Sequence, residues 1–187
     1  MQNYLEELKN CNFCPRECHT NRVEGNFGYC NCDASFSIGS ICLHNGEEPV
    51  ISGKNGICNV FFTHCNLQCI FCQNYQISRN KFNENADIEQ SRSKHFSPKC
   101  NNENGLFAQT LTNNHFKLEE VVNKIIAFLD KDCNLLGFVS PSHCIPQMKA
   151  IIYALHEKGR SPVIVFNTNA YDKVDTLQSL ESLIDVY

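Results

Sequence analysis

Apolar residues fall into two rhythms along this chain. Short unbroken runs predict buried strands: Val60-Phe61-Phe62, Leu135-Leu136-Gly137-Phe138-Val139, Val163-Ile164-Val165-Phe166 and the start of a fourth at Ile184-Asp185-Val186-Tyr187. Between the later runs, apolar positions recur at helical spacing. Leu118, Val121, Val122, Ile125, Ile126 and Leu129 form one such face, Met148, Ile151, Ile152 and Leu155 a second, and Val174, Leu177, Leu180 and Leu183 a third. Glu119 and Glu120 occupy the first turn of the first helix, where the helix dipole favours acids. Pro146 suits the opening turn of the second, and Gly159 ends it. Strands alternating with helices predict parallel βα units. Strands this apolar read as covered by helices on one face and packed into a barrel interior on the other. Chemistry in such a barrel sits where the carboxyl ends of the strands emerge. Three of these ends are polar: Thr63-His64-Cys65, Ser140-Pro141-Ser142-His143 and Asn167-Thr168-Asn169. The topology puts all three on one rim.

The rest of the chain lacks this rhythm. Residues 1–56 form a cysteine-rich region with few apolar positions. It holds Cys11, Cys14 and Cys18 in the pattern C-x2-C-P-R-x3-C, then Cys30, Cys32 and Cys42, with turns marked by Gly25 and Gly28. A turn-rich connector with Gly46, Pro49 and Gly53 leads to the first strand, and the adjacent acids Glu47 and Glu48 read as part of a solvated loop. Residues 80–114 are rich in Asn, Ser and Lys and read as a long mobile insertion. The division expected is therefore a cysteine-rich region at 1–56 and an α/β unit at 57–187 interrupted at 80–114.

Composition narrows the function. Sixteen Lys+Arg stand against 20 Asp+Glu, a net charge of −4, with no basic block suited to nucleic acid. No apolar run approaches the ~20 residues of a membrane span. The N-terminus lacks the apolar core of a signal peptide. These features predict a cytoplasmic protein with neither nucleic acid nor membrane as partner. In that setting 13 cysteines point to metal or catalysis rather than disulfides.

The densest chemistry follows the first strand. Cys65, Cys69 and Cys72 are spaced C-x3-C-x2-C, so three thiolates on one loop could converge on one centre. Iron–sulfur clusters are usually held by four thiolates, and three would leave one iron open. The spacing alone also suits a zinc knuckle or three buried core thiols. In the N-terminal region Cys11, Cys14, Cys18 and Cys30 are the candidate ligands of a second centre, for zinc or a second cluster, against which stand free thiols packed as small hydrophobes. Cys133 and Cys144 stand apart from both groups and are expected to be dispensable to the Cys65 cluster.

The run FFTHCNLQCIFCQNYQIS, with Phe71 just before Cys72, resembles the radical S-adenosylmethionine (SAM) superfamily. More specifically it is similar to proteins related to the pyruvate formate-lyase activating enzyme. CNFCPRECHTNR, HNGEEPVISG, VSPSH and FNTNAY resemble further segments of the same relatives. The resemblance implies a partial (βα) radical SAM barrel. It implies a [4Fe–4S] cluster on Cys65, Cys69 and Cys72, with SAM on the open iron, cleaved reductively to a 5′-deoxyadenosyl radical. Phe71 is implied near the adenine, and Ser140, Ser142 and Asn167 are implied to contact SAM. Ser140-Pro141-Ser142-His143 stands where the superfamily often has a Gly-Gly-Glu type of motif, and His64 where relatives commonly have Gly. An electron donor such as flavodoxin or ferredoxin, and a glycyl radical enzyme as protein substrate, are the implied partners. The alternative is a non-catalytic zinc or iron–sulfur module with structural centres in both cysteine groups.

Superfamily barrels commonly have about six strands, whereas this chain reaches a fourth and stops at Tyr187. The chain is therefore expected to be an incomplete fragment that takes up the Cys65 cluster but cleaves SAM poorly.

Overall fold

The computed structural model describes residues 4–52, 54–80, 106–107 and 115–187. The fold is α/β, and among the described residues its centre is one mixed sheet. Strands β1 (Phe36–His44), β2 (Ile57–Phe62), β3 (Leu106–Phe107), β5 (Leu135–Val139) and β6 (Val163–Asn167) lie in the order β3-β1-β2-β5-β6. The two-residue strand β4 (His115–Phe116) pairs with the start of β1. Strands β2, β5 and β6 are parallel, with Phe61 opposite Val139 and Val139 opposite Asn167. Their carboxyl ends therefore meet at one edge, as the alternation of strands and helices predicts. Beyond β6, Val186 forms a parallel bridge to Val165 at the expected fourth run.

Strand β1 is the element the apolar pattern does not announce. It runs antiparallel to β2, and its register slips: Ile38 faces Phe62 but Ser40 already faces Phe61. The extra residue is a β-bulge at Gly39, where a Cβ would meet Ile77 at 3.1–3.2 Å. Inward residues of a strand recur every second position, but the bulge stretches the interval from Ile38 to Ile41 to three, which disguises the strand. The sheet thus crosses the boundary expected after residue 56. Leu8, Cys11, Phe13, Cys14, Cys30 and Cys32 share one continuous core with the βα units.

The helices follow their patterns. The helix Leu118–Leu129 buries Val121, Val122, Ile125 and Phe128, and the Glu120 carboxylate accepts from the Lys117 backbone N–H at its start. The helix Ile145–Glu157 carries Pro146 in its first turn and buries Met148, Ile151, Ile152 and Leu155. Each fully buried aliphatic side chain of this kind contributes about 1.5–3 kcal/mol. Gly159 ends the helix at φ 71°, with its N–H bonded to the His156 carbonyl and the Arg160 N–H to the Leu155 carbonyl. The last helix is shorter than its apolar spacing predicts, covering Val174–Gln178 only. Leu180 and Ile184 are still buried, but from turns that follow it. Of the insertion expected at 80–114, residues 81–105 and 108–114 lie outside the described residues.

Candidate functional site

The three polar strand ends are joined by hydrogen bonds. After β5, Ser140 takes the left-handed conformation at φ 49°, and its N–H donates to the Asn167 carbonyl at 2.7 Å. Ser142 is fully buried, and its hydroxyl bonds Asn169 Oδ1 at 3.2 Å. Asn169 Nδ2 in turn donates to Asn66 Oδ1 at 3.0 Å and lies 3.8 Å from Cys65 Sγ. Asn66, also fully buried, donates to the Tyr171 carbonyl at 3.3 Å. Ser142 therefore acts on the rim through Asn169, while Ser140 is half-buried and Asn167 exposed.

The cysteine loop leaves β2 at this edge. His64 sits at φ 64°, a conformation that glycine adopts without steric cost. Its N–H donates to the Ile77 carbonyl at 2.6 Å, and Nδ1 bonds the Arg79 carbonyl at 3.1 Å. Asn80 closes the base of the loop: its Oδ1 accepts from the Cys65 N–H at 3.1 Å, and its Nδ2 donates to the Cys65 carbonyl at 2.9 Å. Gln68 crosses beneath, donating to the Ser78 carbonyl at 2.6 Å and accepting from the Asn80 N–H at 3.1 Å. Cys65 and Cys72 are half-buried and Cys69 is exposed. The Cys65 sulfur accepts from the Leu67 N–H, and the Cys72 sulfur lies 3.2 Å from Ser78 Oγ. Phe71 is 95% exposed.

The N-terminal cysteines dock against that loop. Arg16, from the C-P-R motif, donates through Nε to the Asn66 carbonyl at 2.9 Å. Its guanidinium stacks 3.8 Å over Tyr29 and stands 5.2 Å from the Tyr171 ring. Cys18 accepts from the Tyr29 N–H at 3.2 Å, and a Cβ at Gly28 would come within 2.9 Å of its sulfur. Burial pushes the Cys11 thiol up to about 11, against the lowering effect of Arg22. Cys14 is pushed up by burial as well, with Cys30 and Cys18 among its electrostatic neighbours. Cys11 thus has Cys14 and Cys30 as electrostatic neighbours, and Cys14 has Cys18 and Cys30.

The tightest grouping is a different one. Among the described residues, the Cys, His and acidic side chains whose ligand atoms all lie within 4.8 Å of one another are Cys32, His143 and Cys144. All three are buried. Neither Cys65, Cys69 and Cys72 nor the Cys11 group meets that distance. Ligands of a single ion crowd together, each about 2.0–2.3 Å from the metal, whereas thiolates on different irons of a cluster stand further apart. His143 Nε2 faces the Thr63 carbonyl at 2.9 Å, while Nδ1 is buried beside the Cys144 thiol with no nitrogen or oxygen partner. Burial pushes the His143 imidazole down, but the adjoining Cys144 and then Cys30 outweigh it and hold it up at about 10. Burial likewise opposes ionisation of Cys144, yet a hydrogen bond from Cys32 and the charges of His143 and Arg22 hold this thiol well below its ordinary range. The chain therefore contains a group able to hold a metal ion. Sequence spacing missed Cys144 and passed over Cys32, although two signals were present: the pair C-x-C at 30–32 and the adjacent His143-Cys144.

Over 180 residues, 96% of the chain, the sequence is 26% identical to an uncharacterized protein of Methanocaldococcus jannaschii. The chain spans 44% of that protein's length. No protein-family model matches the chain, and no solved structure matches it. No helix of the described residues is long and apolar enough to cross a membrane.

Proposed function

We propose that this chain is a radical SAM iron–sulfur protein of the kind related to the pyruvate formate-lyase activating enzyme, with Cys65, Cys69 and Cys72 as cluster ligands. One observation carries the reading: the cysteine loop leaves β2 at the edge of the sheet where the ends of β5 and β6 also turn, and Asn169 reaches Cys65 and Asn66 from the far strand. The donor set fits the group. Three thiols outside any disulfide stand on one loop, and Cys69 faces solvent. When bound, a [4Fe–4S] cluster with an open iron supplies the electron that cleaves SAM.

The chain's own residues hold and shield that site. Asn80 and Gln68 fix the spread of the loop from below, so ordering it costs little entropy on loading. Phe71 is exposed and available to stack on an adenine. Ser140 and Asn167 present polar atoms at the neighbouring strand ends, and Ser142 orients Asn169. A partial barrel of βα units, a cytoplasmic location, a flavodoxin or ferredoxin as electron donor and a glycyl radical enzyme as protein substrate belong to the same proposal.

Anaerobic reconstitution with iron and sulfide tests it. The expected product is an air-sensitive cluster whose EPR signal changes when SAM is added. A chain that takes up zinc but no cluster, and is indifferent to SAM, would instead support a non-catalytic metal-binding module. Because Cys32, His143 and Cys144 form a separate candidate metal group, the cluster and its response to SAM, not zinc uptake by itself, decide between the two.

A further inference from the structure

The N-terminal segment is seated by a buried cation that makes no ion pair with a carboxylate among the described residues. Arg22 is 1% exposed. Its guanidinium donates to the Asp33 carbonyl at 3.0 and 2.7 Å and to the His143 carbonyl at 2.8 Å, and lies 4.0 Å from Cys11 Sγ. Among the described residues no carboxylate pairs with it. A buried charge is costly unless something of opposite sign faces it. The Asp33 carboxylate is an electrostatic neighbour without being an ion-pair partner, and the other groups near Arg22 that can become anionic are the thiols of Cys144, Cys32, Cys30 and Cys11. Cys32 Sγ lies 3.5 Å from the Cys30 main-chain carbonyl and within 4.8 Å of the ligand atoms of His143 and Cys144.

We propose that Cys32, His143 and Cys144 bind one divalent metal ion of the zinc type, a structural centre separate from the Cys65 loop, with Cys30, whose sulfur lies outside the 4.8 Å grouping, closing in as the fourth ligand on metal binding. Three observations converge on it. The ligand atoms of Cys32, His143 and Cys144 lie within 4.8 Å of one another, compact enough for a single tetrahedral ion. The Thr63 carbonyl engages Nε2 of His143, which leaves Nδ1 as the metal-facing nitrogen, and Nδ1 is buried beside the Cys144 thiol with no nitrogen or oxygen partner. A carbonyl that fixes a histidine tautomer in this way is the usual outer support of a metal-bound imidazole. Charge also closes: a divalent ion with three thiolates and a neutral imidazole carries one net negative charge, which Arg22 cancels. The centre would clamp residues 30–32 to the turn after β5, directly beneath Thr63 and the start of the Cys65 loop. Coordination releases the thiol and imidazole protons to solvent and involves no change of oxidation state. This inference does not depend on the reading of the Cys65 loop.

The test uses the full chain with Cys65→Ala, Cys69→Ala and Cys72→Ala together, produced with zinc under reducing conditions and dialysed. We expect a retained zinc whose X-ray absorption spectrum shows a shell of three sulfurs and one nitrogen with imidazole outer scattering. Adding His143→Ala should remove the imidazole signature, and Cys32→Ser or Cys144→Ser should lose the ion. Should those variants fail to fold, the spectrum of the folded parent decides alone. No retained zinc, or a Cys32–Cys144 disulfide, overturns the proposal. A shell of four sulfurs without imidazole also overturns it and places the ion among Cys11, Cys14, Cys18 and Cys30. Two sulfurs with imidazole would overturn the role given to Cys30.

Discussion

His143 and Thr63 are joined by a 2.9 Å hydrogen bond between Nε2 and a main-chain carbonyl, 80 residues apart in sequence. The contact links the turn after β5 to the last residue before His64 and the cysteine loop. The same imidazole lies edge-on to Phe62, with ring centroids 6.5 Å apart. His143→Ala removes both contacts and leaves the buried Thr63 carbonyl with only the long 3.9 Å contact from the Cys32 thiol. With excess chelator present, so that no metal contributes, urea unfolding should show a loss of about 3 kcal/mol. A loss below about 0.5 kcal/mol would mean that the two strand ends are held by other means.

The cysteine loop offers a sharper contrast. Cys65→Ala, Cys69→Ala and Cys72→Ala should each abolish SAM-dependent EPR changes in the reconstituted protein, because three thiolates are the fewest that leave one iron open. Cys133→Ala should leave the cluster unchanged. Its thiol is buried against the Gly56 and Leu135 carbonyls, on strand-entry segments away from the rim. Iron and SAM-cleavage assays on the four variants check this, and a single loop variant with full cleavage would sink the ligand assignment.

The left-handed backbone at His64 makes its own prediction. Glycine there relieves about 1 kcal/mol of backbone strain and gives up a partly exposed hydrogen bond of about the same worth. His64→Gly should therefore leave the denaturation midpoint almost unchanged. Valine, whose branched Cβ is a genuine outlier at this φ, should lower stability by about 1–2 kcal/mol.

Glu17 and Lys173 tie the cysteine-rich segment to the loop after β6, with Nζ 2.5 Å from Oε1 and 3.1 Å from the Asn12 carbonyl. The hydrogen bond and charge of Lys173 hold the Glu17 carboxyl below its ordinary value of 4.5. A depressed carboxyl stabilises the fold above its unfolded-state value, and this stabilisation is lost as pH falls through the folded-state value. The pair is exposed, so its effect on stability should be small. NMR titration should place Glu17 below 4.5 in the native chain, and Lys173→Met should return it upward.

Much of this architecture could be read before any coordinates. Strands β2, β5 and β6 stand out because each carries an apolar run, in β2 only the last three residues after Asn59, and the polar residues at their ends fall together because parallel strands share a direction. Strand β1 escaped because its bulge breaks the two-residue rhythm. The Cys32–His143–Cys144 group escaped for another reason. Spacing rules work for ligands on one loop, whereas these come from two segments more than a hundred residues apart, brought together only by tertiary packing. The residue identities were visible, but nothing local related them.

The bond from Arg22 to the His143 carbonyl spans 121 residues of chain. Its consequence lies in the order of assembly. The N-terminal cysteines are synthesised first, yet their seat does not exist until β5 and its following turn have been made and packed. Such long-range closures come late in folding. Through that interval Cys30 and Cys32 stand in solvent, open to oxidation and to capture by whatever soft metal is at hand. The cell's redox state and metal supply during synthesis therefore help decide how much of this protein reaches its finished form.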